Sequence, residues 1–144
     1  MKFFAAIVAL VAASVANAQV PWTNCATAPA MTVTYFSVTP YPACLGKQGC
    51  FTATGTLNNP VIAPATLSIV GKYFGQTVYT DNHDFCALLA ATGQPCPIPI
   101  TMTSVTVCVL VKPNAPVGIP ITLTVSATNG DGRVLFCQRA TITV

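Results

Sequence analysis

The only histidine in the chain, His83, is flanked by Asp81 and Asp84. A histidine among carboxylates is the arrangement that serves as a general base or a metal ligand. Little else in the chain would complete such a site. There is no glutamate and there are only three aspartates, and no Cys/His/carboxylate spacing fits a zinc enzyme. Ser37, Ser68, Ser104 and Ser126 all fall in runs that read as strands, and none lies in a nucleophile-elbow motif. The sequence therefore predicts no catalytic residue, no metal and no cofactor. Asp81, His83 and Asp84 are read as a solvated loop that carries most of the acid groups.

Cysteine is the other reactive type. The seven are Cys25, Cys44, Cys50, Cys86, Cys96, Cys108 and Cys137, with no CxxC pair among them. Cys44 and Cys50 bracket the glycine-containing turn Leu45-Gly46-Lys47-Gln48-Gly49, and Cys86 and Cys96 bracket another short segment. Cys25 and Cys137 lie near the two ends of the domain, and joining them closes a loop worth about 4–5 kcal/mol in the chain-entropy account. Cys108 is left over within the apolar run from Val105 to Val111. It is read as a buried thiol ahead of an intermolecular disulfide.

Disulfides need an oxidising compartment, and the N-terminus supplies an address. Lys2, an apolar run from Phe3 to Val15, and Ala16-Asn17-Ala18 have the layout of a cleavable secretory signal. The apolar run is too short to span a bilayer. The expectation is a signal peptide over residues 1–18 and one domain over 19–144. The product is then secreted, or held in a vacuolar or lysosome-like lumen. Only 6% of residues are charged, against roughly 25% in typical soluble domains. Six Lys and Arg against three Asp and Glu form no basic cluster, which gives nucleic-acid binding no support.

The elements that would carry these residues are strands. Residues 31–39 are rich in β-branched and aromatic side chains and stop at Pro40 and Pro42. Phe51, Ala53, Gly55 and Leu57 alternate with threonines, giving one greasy and one hydroxylated face. Ala65, Leu67 and Ile69 alternate likewise, and the run continues through Tyr73 and Phe74 to a turn at Gly75 and a short strand over 76–80. Residues 81–100 show no strand pattern beyond one helical turn near Cys86 to Ala91; this is the longest irregular loop, and long loops are often binding elements. Val105, Val107, Val109 and Val111 line one face of a long strand, and Ile121, Leu123, Val125 and Ala127 line the next. Asn129-Gly130-Asp131-Gly132 is a strong turn signal before a last strand over 133–144. About seven strands without covering helices predict an all-β, immunoglobulin-like antiparallel sandwich.

The cysteine order and strand content together resemble the ML lipid-recognition family, especially the fungal phosphatidylglycerol/phosphatidylinositol transfer proteins. Four stretches carry the likeness: Thr52-Ala53-Thr54-Gly55-Thr56-Leu57; Lys72-Tyr73; Asp84-Phe85-Cys86 with Cys96-Pro97-Ile98; and Cys137-Gln138-Arg139-Ala140-Thr141-Ile142. The resemblance spans roughly Cys25 to Val144. The family also includes the secreted Niemann-Pick cholesterol-transfer protein, whose arrangement implies the pairs Cys25–Cys137, Cys44–Cys50 and Cys86–Cys96.

What the resemblance implies is a sandwich whose sheets part at one edge to admit a sterol, phospholipid acyl chain or fatty acid past the 81–100 loop. The wall residues expected on that reading are Phe51, Leu57, Leu67, Ile69, Tyr73, Val107, Val109, Ile121, Leu123 and Val125, with Pro97, Ile98 and Ile100 at the rim. Lys72 is the head-group candidate. The expected behaviour is that of a monomeric lipid carrier in transient contact with membranes. Two other readings stand beside it: a recognition module whose bound lipid signals to a partner, and a structural or adhesive β-sandwich whose apolar face is simply a filled core.

Overall fold

A computed structural model describes residues 20–144, so the signal-like segment 1–18 lies outside the described residues. The chain runs β1 (Thr23–Asn24), β2 (Met31–Thr39), β3 (Gln48–Leu57), β4 (Thr66–Tyr73), β5 (Gln76–Asp84), α1 (Phe85–Ala91), β6 (Ser104–Leu110), β7 (Pro120–Thr128) and β8 (Val134–Thr143). All pairings are antiparallel. They form a five-stranded sheet, β1-β8-β7-β4-β5, facing a three-stranded sheet, β2-β3-β6. This is the antiparallel sandwich expected of the sequence, with a two-residue strand, β1, added at one edge.

The period-two pattern decides which residues enter the space between the sheets. In β6 and β7 it puts Val105, Val107 and Val109 opposite Ile121, Leu123, Val125 and Ala127, all buried in one apolar cluster. The intervening threonines lie on the outer faces, where Thr52 and Thr106 hydroxyls meet across β3 and β6 at 3.0 Å. Gly55 sits where β2 carries a bulge between Val33 and Tyr35. A Cβ there would stand 1.9 Å from the Thr32 carbonyl oxygen, so the strand approach requires glycine.

The same alternation corrects the cysteine pairing. Cys50 and Cys108 are direct partners in the β3–β6 register and are joined, with Cα atoms 4.0 Å apart. The expected Cys44–Cys50 bond is absent, and Cys44 is a free, exposed thiol in the loop before β3. Cys108 is thus neither a buried thiol nor unpaired. Because Val107 and Val109 point inward, Cys108 must point outward, beside Cys50. Cys25–Cys137 and Cys86–Cys96 are paired as expected.

The second correction concerns the 81–100 segment. Its first four residues complete β5, and α1 follows directly. Asp84 caps that helix by accepting from the Ala87 N–H at 3.1 Å. The helix buries Phe85 and Leu89 and ends at Thr92, where Gly93 takes φ +84°. The remainder returns to the body through an isolated bridge between Val61 and Ile98.

Candidate functional site

The expected wall residues come together. Phe51, Leu57, Leu67, Ile69, Val107, Val109, Ile121, Leu123 and Val125 are buried in the single cluster between the sheets, and Tyr73 packs half-buried against it. Ile98 is buried with them, whereas Pro97 and Ile100 lie exposed outside. Of these wall residues only Leu57 borders the small void described next. One void between the sheets, about 10 Å³, is bounded by Met31, Leu57, Phe85, Val105 and Phe136 among others, which is room for roughly one water. Strand alternation located the inward face correctly. Phe85 and Phe136, ring centroids 6.1 Å apart, both line that void. Sequence reading missed both, since one follows a polar strand end and the other sits beside buried Leu135, out of alternation.

One edge of the gap, between β5 and β6, is bolted by polar groups. Tyr79, Asp81 and His83 are the less exposed alternates of β5, and Asp81 is only 5% exposed. The solvated-loop reading of this cluster therefore fails for Asp81. His83 donates from Nε2 to the Asp81 carboxylate at 2.7 Å, and the Lys112 ammonium stands 3.1 Å from its other oxygen. Lys112 follows β6, so the ion pair crosses from one sheet to the other. Its Nζ also donates to the Thr80 carbonyl at 2.9 Å, and its backbone N–H donates to the Tyr79 hydroxyl at 3.4 Å. Farther along the same edge, Thr92 donates to the Thr106 carbonyl, while Gln94 donates to Ser104 and accepts from the Thr106 N–H. These bonds occupy the first part of the free rim of β6, at Ser104 and Thr106.

Burial pushes the Asp81 carboxyl up, but the hydrogen bonds from His83 and Lys112, and then their charges, outweigh it and hold the group below its ordinary value. Burial raises the Tyr79 hydroxyl, opposed in part by the bond from Lys112. A carboxyl whose folded pKa is depressed contributes stability above its unfolded pKa, about 3.9, and loses it as pH falls through the folded value. Asp81→Asn is expected to unfold at lower urea than wild type at pH 7. The gap should narrow once pH drops below about 4, and equal stabilities at pH 7 would show that the bolt carries no net energy.

Lys72 is exposed and sits on the outer face of β4, between inward Gly71 and Tyr73. It is not brought to the gap; the lysine that is there is Lys112. Beside Lys72, the β4–β5 turn presents Phe74, 88% exposed at φ +47°.

The opposite edge, between β1 and β2, is hollow. A recess of about 240 Å³ opens there, with Trp22 and Asn24 on one side, Val33, Tyr35 and Phe36 on the other, and Gln138 at its floor. Trp22 meets Phe36 edge-on, 4.8 Å between centroids. Across the whole sandwich, the covalent staples stay within sheets. Cys25–Cys137 ties the end of β1 to β8, Cys50–Cys108 ties β3 to β6, and Cys86–Cys96 closes α1 onto its own loop. Among the described residues no disulfide joins one sheet to the other.

With this geometry, comparison with known proteins is decisive for kinship. The profile of the ML domain matches residues 19–144. The chain belongs to the ML-domain family. Among solved structures, this ML domain is similar to a Niemann-Pick type C2 protein from Japanese carpenter ant, at 11% identity and a TM-score of 0.64, covering 84% of this chain and 96% of that one. It is also similar to chicken MD-1 complexed with lipid IVa, at 12% identity and a TM-score of 0.50, covering 87% and 98%. At such identities the likeness shows the fold. No curated protein matches the chain. Among the described residues of the ML domain, no three His, Cys, Asp or Glu side chains are grouped as a metal site would need.

Proposed function

We propose that this ML domain is a secreted lipid carrier, made with a cleaved signal over residues 1–18, that holds the apolar part of one lipid between its sheets. The observation that carries the reading is the placement of the disulfides. A sandwich held together for rigidity gains most from a bond across its two sheets, as in antibody domains. Here each sheet is stapled to itself, and what crosses the gap is apolar contact plus non-covalent polar bonds at its edges, chiefly those of Lys112 to Asp81, Thr80 and Tyr79 and of the Ala30 N–H to the Val134 carbonyl. Apolar contact is non-directional, so a lipid chain can replace sheet-to-sheet contact with sheet-to-lipid contact at little net loss. Burying a dozen methylenes contributes about 10 kcal/mol, which competes with association costs of about 4–15 kcal/mol. Membership of the ML family supports the reading, as does a structural neighbour complexed with lipid IVa. The protein acts as a monomer, without catalysis, and meets membranes through surfaces such as the Phe74 tip, where Lys72 faces lipid head groups.

A second reading is favoured by one observation, the burial of the inward residues against one another in a single cluster. On it, the sandwich is a structural or adhesive module. Native mass spectrometry of the secreted protein, followed by organic extraction, separates the two. The carrier should weigh one lipid more than the oxidised chain and release a single lipid class. A bare protein that also refuses added sterol and phospholipid would establish the structural reading instead.

A further inference from the structure

Three polar or charged side chains are buried in the described domain: Asp81, Asn129 and Gln138. The first two are fully employed. Asp81 is held by His83 and Lys112. Asn129 accepts from the N–H groups of Ile62 and Gly130 and donates to the Pro60 carbonyl. Gln138 differs. It is 4% exposed and points inward from β8 between Phe136 and Ala140, yet its amide has no hydrogen-bond partner among the described residues. Nor is the amide sealed away, because no partnerless polar side-chain atom is closed off from solvent. It opens onto the recess at the β1/β2 edge.

This amide stands at the floor of a hollow walled by Trp22 and Phe36, free to pair with whatever enters it. We infer that Gln138 is the polar anchor for an uncharged hydroxyl or carbonyl head on the lipid. The inference rests on the carrier reading and narrows its ligand class. An amide presents both donor and acceptor, so a hydroxyl can pair with it in both senses and a carbonyl in one. Among the described residues the recess has no charged side chain in its lining. The neighbouring Arg139 faces the other side of β8, where its Nε donates to Thr124 at 3.4 Å. A carboxylate or phosphate placed against Gln138 would be desolvated without a counter-charge, which is strongly unfavourable.

The test uses two fluorescent probes with one chain and different heads, cis-parinaryl alcohol and cis-parinaric acid, titrated into delipidated protein at pH 8, where the acid is ionised. Wild type should prefer the alcohol, and Gln138→Met, similar in length but without the amide, should bind the alcohol about three- to tenfold more weakly with little change for the acid. Unchanged alcohol affinity in the variant would overturn the anchor while leaving the carrier reading intact. Failure of wild type to bind either probe would overturn both. Should the variant not fold, the side-chain NH2 resonances of Gln138 in 15N-labelled wild type decide the matter. They should move on addition of the alcohol, and fixed resonances with the alcohol bound would end the proposal.

Discussion

Replacing Cys25 and Cys137 together by alanine is expected to cost about 4–5 kcal/mol of folding stability. The bond closes 112 residues of sequence, so its loss releases the longest constraint in the unfolded chain. The consequence in the folded chain is local. β1 pairs with β8 only through Thr23↔Arg139 and Asn24↔Gln138, and two residue pairs do not hold a strand alone. The wall formed by Trp22 and Asn24 should therefore fray with it, exposing the recess over Gln138. Removing Cys86 and Cys96, separated by only 10 residues, should cost less, about 3 kcal/mol. Urea unfolding of the two double variants under non-reducing conditions gives the order directly, and a larger loss from the Cys86/Cys96 pair would refute the loop-length argument.

Phe85→Ala should be nearly as damaging, at about 3–5 kcal/mol. Phe85 is 1% exposed, lines the small void between the sheets and meets Phe136 edge-on. Truncation merges the ring's volume with that void, and α1 is held by its own disulfide, which limits collapse into the space. An apolar hole of that kind stays dry and accepts small apolar molecules. The variant should thus melt earlier than wild type and regain part of the loss in benzene, because a ligand bound only by the folded state stabilises it. A loss below about 1 kcal/mol would mean that the ring is not a structural plug.

Much of the sandwich was legible because its central strands obey one rule. In β3, β6 and β7 apolar residues alternate mostly with threonine and serine, and the inward residues named from that alternation are buried except Gly55 and Val111, which are half-buried. The rule fails where a strand runs along an edge. Asp81-Asn82-His83-Asp84 looks like a loop, yet it is strand, because Lys112 from the facing sheet neutralises the inward carboxylate. That partner lies 31 positions away and leaves no local trace. Alternation also fails at the β7–β8 irregularity, where Leu135 and Phe136 are both buried. It says nothing about how far apart two inward faces stand, so the room between them could not be read from it. The Cys50–Cys108 pair was within reach, since the valines around Cys108 already placed its sulfur on the outer face.

That pairing leaves three sulfurs of one sheet and its loop sharing one bond, with Cys44 exposed as the remaining thiol. Disulfides isomerise by thiolate attack, and attack by Cys44 on Cys50 would exchange a strand-to-strand bond for a loop closure and liberate Cys108. The two isomers have the same mass and the same number of free thiols, so an intact-mass measurement is blind to which is present. Purified material is best alkylated in acid, where exchange is slow, and mapped peptide by peptide before its stability is compared between preparations.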